Sequence, residues 1–218
     1  MKSSYFTLKL KNCMLAASAC CPGDSVVMLE DGGQMMMKEL KLGDRILTVN
    51  DGAPVTTTVL GFLEKRILSM GEYLKISLQN NQRLSISATH VMFVAGEDNV
   101  MRDVFAKDIK IGDMVYVLKD SKVQVVQVVD ITQVQLTGAY VPLTVTGTLL
   151  VDGVLVSSYT NTGHWLAHTV MAPLRWFPTI LLDTENSQEE EGIRAFPRMM
   201  KEVGNILGLI TTSKGIMK

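Results

Sequence analysis

The chain has 218 residues, of which 47% are hydrophobic, and its 21 basic and 22 acidic residues leave a net charge of -1. This length supports one substantial core, or a core with a smaller appendage. The near balance of charge argues against nucleic acid as a partner, because nothing attracts a polyanion. The 3 cysteines and 3 histidines are scattered without a CxxC, so we expect neither a disulfide framework nor a metal site, and no cofactor.

The N-terminal segment "MKSSYFTLKLKNCMLAASAC" ends in small residues that resemble a cleavage site. Lys9 and Lys11 interrupt its apolar stretch, which leaves no continuous run of roughly 7 to 15 apolar residues, so no signal peptide is predicted. The sequence contains no unbroken apolar run of roughly 18 to 20 residues, the length that a membrane-spanning helix needs.

Two adjacent cysteines open the first motif, "CCPGD" at 20–24, and a run rich in β-branched residues follows. Such a run favours a strand. Adjacent cysteines bridge only through a strained ring, so at least one of Cys20 and Cys21 is predicted to carry a free thiol. Cys13 and Cys21 considered alone are expected to be small apolar core residues.

The sequence repeats itself, because "KELKLGDRILTV" at 38–49 returns as "KDIKIGDMVYVL" at 107–118. Each copy predicts a Gly-Asp turn leading into a strand. A second echo pairs "LSISATHVMFV" at 84–94 with "LTVTGTLLVDG" at 143–153 and sets His90 opposite Leu149. We therefore expect a duplicated β fold in which His90, present in one half only, has a functional role.

The chain reads as strands as far as about Tyr159, where the composition changes. The segments "GHWLAHTVMAPLRWFPTILL" and "IRAFPRMMKEVGNILGLI" follow, separated by the acidic "DTENSQEEEG", and they predict short amphipathic helices. His164 and His168, four residues apart, are expected to face one side of a helix. The predicted fold class is therefore all-β, a duplicated body with a short helical C-terminal appendage.

The ordered set of blocks resembles the C-terminal autoprocessing region of hedgehog proteins. The blocks are Cys-x-Pro-Gly-Asp, "KELKLGDRIL", the hydroxyl-x-x-His turn "SATH", "AYVPLTVTGTLLVDGVLVSSY" and "HWLAHTVMAPLR". That region is a Hint domain, related to inteins, followed by a sterol-recognition or adduct-recognition segment. The resemblance implies a released flank at 1–19, a Hint domain at 20–158 and a recognition region at 159–218.

The resemblance also implies a chemistry and a set of roles. Cys20 attacks the carbonyl of Ala19 to form a thioester, and a sterol such as cholesterol then resolves it, in a single turnover on the chain's own N-terminal segment. Ser87 polarises the scissile peptide, with Thr89 as a nearby substitute donor, and His90 is the general acid, a role that suits imidazole. Glu64 stands where the family has an aspartate base.

The recognition region is expected to hold the sterol or another lipid alcohol through Trp165 and Trp176, and to contact a membrane interface. The same resemblance implies the secretory pathway, in the endoplasmic reticulum, or an extracellular location. Residue by residue, the other interpretations are core packing for the tryptophans and a solvated surface charge for Glu64.

Two other functions are compatible with parts of the sequence. One is a Hint domain whose thioester is resolved by water or another nucleophile, or an intein that splices. Splicing is discounted because Asn161-Thr162 follows Thr160 rather than a histidine. The other is a catalytically silent β module used for binding, which the retention of Cys20, Ser87 and His90 argues against.

Overall fold

The computed structural model describes residues 21–96, 100–160 and 163–170, together with Ala172. The predicted cleavage site Ala19-Cys20 and the predicted sterol contact Trp176 lie outside the described residues, as does Cys13. The boundaries proposed for the three regions remain predictions.

The described residues form eleven strands and three short helices, which confirms the predicted all-β class. The strands are β1 (Val26–Met28), β2 (Gln34–Met36), β3 (Arg45–Asn50), β4 (Ala53–Leu78), β5 (Arg83–Ile86), β6 (His90–Ala95), β7 (Met101–Phe105), β8 (Met114–Lys119), β9 (Lys122–Thr144), β10 (Thr148–Val151) and β11 (Val154–Thr160). The helices are the 3-10 turns Met37–Glu39 and Ala106–Asp108 and the α-helix α1 (His164–Val170). None of the described helices is long and apolar enough to cross a membrane.

Two very long strands, β4 with 26 residues and β9 with 23, organise the main sheet. They pair antiparallel from Val59 opposite Thr144 to Leu78 opposite Val128, with register shifts along the way. The sheet has nine strands in the order β10-β11-β6-β8-β9-β4-β3, with β5 beside β4 and β7 beside β6, and β1 and β2 form a separate ribbon. The buried aliphatic and aromatic side chains form one large cluster and two smaller ones.

The first sequence repeat corresponds to two turns of nearly identical geometry. The Asp44 carboxylate accepts the Lys41 N–H at 2.7 Å, and the Asp113 carboxylate accepts the Lys110 N–H at 2.8 Å. Between them Gly43 and Gly112 adopt φ of +87° and +101°, a left-handed conformation that only glycine takes without strain. Each turn leads into a strand, β3 or β8, so the predicted duplication is confirmed.

The second predicted repeat, which pairs residues 84–94 with 143–153, is wrong, because the two segments do not occupy equivalent positions in the fold. The element order repeats as two strands, a 3-10 turn and three strands, so that β1–β5 correspond to β6–β10. Residues 84–86 belong to β5, whereas 143–144 end β9. Both segments alternate apolar and hydroxyl residues, a pattern that any half-buried strand end produces. His90 instead opens β6, the first strand of the second unit.

Candidate active site

The segment that follows the predicted nucleophile is fixed to β9 through its backbone. Cys21 donates to the Tyr140 carbonyl at 3.2 Å and accepts from the Tyr140 N–H at 3.0 Å. Gly23 then donates to Thr137 at 3.0 Å. Gly138, at φ +88°, lies so close that a Cβ there would approach the Gly23 nitrogen to 3.0 Å. The Pro-Gly turn thus holds the chain leaving Cys20 against one point of the sheet.

The side chain of Cys21 is fully buried within the main core. This confirms its predicted role as a small apolar core residue. The peptide bond between Cys20 and Cys21 joins the predicted nucleophile to this anchored residue.

Glu64 lies on β4, on the other side of β9 from Cys21. Its ladder partner is Val141, and the next residue, Lys65, pairs with Tyr140, the residue that anchors Cys21. Glu64 is only 4% exposed, and its Oε1 lies 2.9 Å from the Nε of Arg66. The interpretation of Glu64 as a solvated surface charge is therefore wrong, since a buried carboxylate is retained only with a partner.

Ser87 and His90 are brought together in one tight turn between β5 and β6. The Ser87 carbonyl accepts the His90 N–H at 3.1 Å, and Thr89 lies half-buried between them. The Ser87 side chain is 4% exposed, and its Oγ has no hydrogen-bond partner among the described residues. Leaving a buried hydroxyl unsatisfied costs about 1–3 kcal/mol, so this group calls for a functional explanation.

His90 is fully buried, and its Nε2 lies 2.7 Å from the carbonyl oxygen of Ser157. A carbonyl only accepts, so Nε2 carries the proton, which leaves Nδ1 with its lone pair in the neutral ring. Burial lowers the pKa of His90 from 6.5 to about 4, and the bond to Ser157 opposes that shift only in part. At neutral pH the imidazole is therefore uncharged.

The last residues of β9 connect these groups. Tyr140 and Val141 hold Cys21 and Glu64 on opposite sides of the strand. Three residues further along, the Thr144 hydroxyl lies 3.1 Å from the hydroxyl of Ser158, the neighbour of the residue that binds His90. Residues 140–144 of β9 therefore pair with Cys21 and with Glu64, and they also contact Ser158, the residue next to the one that binds His90.

In the predicted recognition region at 159–218, the tail, the structure describes residues 159–160 and 163–170 together with Ala172. The Trp165 side chain is 67% exposed, so it is not a core residue, and its ring meets the His164 ring edge-on at 5.3 Å. His164 and His168 stack at 5.3 Å between ring centroids, which confirms that they share one side of the helix. No group of three metal-binding side chains occurs within the described ranges.

Sequence reasoning missed two members of this site, Ser157 and Arg66. Ser157 is fully buried and supplies the carbonyl for His90. A pair of hydroxyl residues inside the apolar run "VLVSSY" was the available signal, since buried serines require partners. Arg66 had no signal beyond its position two residues from Glu64 on one strand, which places both side chains on one face.

Comparison with known proteins gives a consistent result. A protein-family model described as "Hint module" matches residues 11–208. Sonic hedgehog protein of Danio rerio is 29% identical over 221 residues, covering 93% of this chain and 53% of that protein. Sonic hedgehog protein of Xenopus laevis is 32% identical over 182 residues, covering 79% and 40%. Warthog protein 6 of Caenorhabditis elegans is 34% identical over 145 residues, covering 65% and 24%. The chain thus spans about half or less of the length of these relatives.

Solved intein structures share the fold. The DnaB intein from Synechocystis sp. PCC 6803 superposes with a TM-score of 0.54 at 13% identity, over 65% of this chain and 99% of that one. A KlbA intein precursor from Methanococcus jannaschii gives 0.56 at 15% identity, over 68% and 95%. The family model, which spans nearly the whole chain, and the intein-like duplicated sheet agree: this chain belongs to the Hint module family.

Proposed function

We propose that this chain is an autoprocessing module that cuts itself between Ala19 and Cys20 and passes the N-terminal segment to an alcohol. The observation that carries the proposal is the turn from Ser87 to His90. It places a buried hydroxyl that has no partner among the described residues beside a buried neutral imidazole. A fold that bears the cost of both groups has a use for them, because either would be replaced by an apolar side chain in an inert core.

In the first step the Cys20 thiol gives its proton to Nδ1 of His90 and its sulfur attacks the Ala19 carbonyl carbon. The Ser87 hydroxyl donates to the carbonyl oxygen or the peptide nitrogen of the bond under attack. The carbon–nitrogen bond breaks as Nδ1 returns the proton to the departing amine, which leaves a thioester and a free amino group on Cys20. His90 therefore serves as base and then as acid, a sequence that a pKa below neutrality permits.

In the second step an alcohol oxygen attacks the thioester carbonyl, Glu64 takes the alcohol proton, and the Cys20 thiolate leaves and is reprotonated. The products are an ester of Ala19 and a fragment that begins at Cys20. We propose a sterol as the alcohol, on the resemblance to hedgehog proteins and the exposed Trp165 at the start of the tail. The same resemblance supports an extracellular or secretory location and contact with a membrane interface through the tail.

The cleavage is tested by incubating the purified full chain with a small thiol or hydroxylamine and measuring intact masses. We expect a fragment beginning at Cys20 and a released 1–19 piece that carries the added nucleophile. Cys20→Ala should abolish cleavage, whereas Cys21→Ala, the matched neighbour buried in the core, should retain it. Cleavage that persists in Cys20→Ala would disprove the proposed nucleophile.

The second candidate function is hydrolysis. Glu64 forms an ion pair with Arg66, which supports a carboxylate base for water as well as for a sterol. The mass of the released piece decides, since a free acid at Ala19 indicates water and a sterol ester indicates lipid transfer.

A further inference from the structure

The strand β11 departs from regular pairing just where it meets His90. Val156 pairs with Met92 and Thr160 pairs with His90, so three residues of β11 face a single residue of β6. The bulged residues are Ser157, Ser158 and Tyr159, and all are buried. The β6 ladder does not fix them. On the opposite edge Ser157 pairs with Thr148 of β10, and the Ser158 N–H donates to the Gly147 carbonyl at 2.8 Å, so side-chain contacts act together with this pairing in setting where the Ser157 carbonyl points.

Two contacts hold the Ser157 hydroxyl, one from β11 itself and one from α1. The Ser157 Oγ accepts the N–H of Tyr159 at 3.0 Å and lies 2.9 Å from Nδ1 of His164. His164 is itself held firmly, since it is 4% exposed, its backbone N–H donates to Asp103 at 2.8 Å and its ring packs edge-on against Phe93 at 4.9 Å. A buried, doubly held imidazole of this kind is a rigid support for the hydroxyl that it contacts.

We propose that His164 is a positioning residue for the acyl shift, acting through Ser157 on His90. One side of Ser157 contacts His164 through its hydroxyl, and the other presents the carbonyl that binds Nε2 of His90 at 2.7 Å. The Ser157 carbonyl fixes the tautomer and the orientation of the His90 ring. It thereby sets the direction in which Nδ1 points. The inference rests on the proposed function, because it is for the acyl shift that we propose proton transfer at Nδ1.

The placement has a consequence for how the chain is organised. α1 follows the predicted end of the catalytic body, yet its first residue is part of the support of the catalytic histidine. Docking of the tail on β11 and the first chemical step are therefore coupled through Ser157. A catalytic body deprived of α1 should form its thioester more slowly than the full chain.

The chain supplies a matched control in His168, one turn further along the same helix. Its Nδ1 contacts the Tyr159 hydroxyl at 3.2 Å, and its ring packs against the turn at Gly147. His168 thus makes a comparable contact from α1 to β11, with Tyr159 rather than Ser157 as its hydrogen-bond partner. Loss of helix docking alone should affect both histidine variants alike, whereas positioning of His90 should distinguish them.

The kinetic test measures thiol-induced cleavage of the full chain over a range of thiol concentrations. At saturating thiol the rate equals that of the acyl shift, and the amplitude reports the fraction of folded protein. We expect His164→Ala and Ser157→Ala each to lower the saturating rate about tenfold, since small displacements of a catalytic group are costly. The double variant should be no slower than either single one, His164→Asn should recover part of the rate and His168→Ala should stay within about twofold.

A second readout does not depend on cleavage. In the Cys20→Ala chain, which stays intact, ring ¹⁵N shifts of His90 report which nitrogen is protonated. Adding His164→Ala should alter these signals, and adding His168→Ala should leave them at the Nε2-protonated values. Equal rates and equal His90 signals in the two histidine variants would overturn the inference. If thiol cleaves no chain at all, the proposed function fails instead, and the His90 signals still decide whether His164 positions that ring.

Discussion

Replacing Ser87 by alanine should raise stability and lower activity at the same time. The Ser87 Oγ is buried without a hydrogen-bond partner in the described part of the chain, so within that part the hydroxyl loses its hydration without gaining a hydrogen bond, and the bond that we propose to the scissile peptide belongs to the acyl shift. Ser87→Ala removes the unsatisfied atom and leaves only a small void. A serine retained for structure alone would show the opposite sign, because its removal would break a hydrogen bond.

The magnitude follows from the burial. An unsatisfied buried hydroxyl costs about 1–3 kcal/mol, so its removal should stabilise the chain by about 1 kcal/mol or more after the void is counted. For a domain of this size each kcal/mol corresponds to a rise in Tm of roughly 2–4 °C. Loss of a hydrogen bond to the reacting peptide should meanwhile slow thiol-induced cleavage by about 10²-fold.

The assay compares thermal and denaturant unfolding of Cys20→Ala chains, which cannot cut themselves, with and without Ser87→Ala. The matched control is Ser158→Ala, since Ser158 is equally buried but its Oγ lies 3.1 Å from the Thr144 hydroxyl. That variant should lose about 1 kcal/mol. The reasoning is refuted if Ser87→Ala is destabilised as much as Ser158→Ala, or if it is stabilised while cleavage proceeds at the parent rate.

The remaining predictions concern pH, the carboxylate and the tail. Folding lowers the pKa of His90 from 6.5 to about 4, so the unfolded chain binds this proton first. The free energy of unfolding should therefore fall by roughly 3 kcal/mol as the pH drops from about 7 to 4. In His90→Gln the fall should be smaller by that amount, with both chains measured in the Cys20→Ala background. Glu64→Gln should keep thiol cleavage but slow sterol-dependent cleavage at least about tenfold, and equal loss of both would mark it as structural. Trp165→Ala should weaken the response to sterol in detergent micelles without changing thiol cleavage; an unchanged sterol response would remove it from the alcohol site.

The features predicted correctly from sequence are those that short segments encode by themselves. The Lys41–Asp44 turn needs only a glycine free to take positive φ and a carboxylate that reaches back three residues, and the same four positions recur at Lys110–Asp113. The Ser87–His90 turn is equally local. Local geometry of this kind can be predicted from the sequence, as can the β character of the long strands.

The contacts that assemble the site join residues far apart in the sequence, and no local sequence pattern predicts them. The approach of Cys21 to Tyr140 depends on two glycines, Gly23 and Gly138, that are more than a hundred positions apart. The register that sets Glu64 opposite Val141 follows two irregularities in β4 that no periodic pattern encodes. The second repeat failed for a related reason, because alternating apolar and hydroxyl residues identify a strand without specifying which strand it is.

The bulge in β11 explains how a duplicated fold can contain a single proposed active site. Two-fold repetition accounts for the paired turns and for the long strands β4 and β9, each serving as the partner of the other. Catalysis needs one histidine aimed in one direction, which a symmetric fold does not provide. β11 lies outside the repeated order of ten strands, and its irregular residues supply the carbonyl that orients His90. The strand that follows the two repeated units, together with the helix that contacts it, therefore makes the proposed site asymmetric within a duplicated sheet.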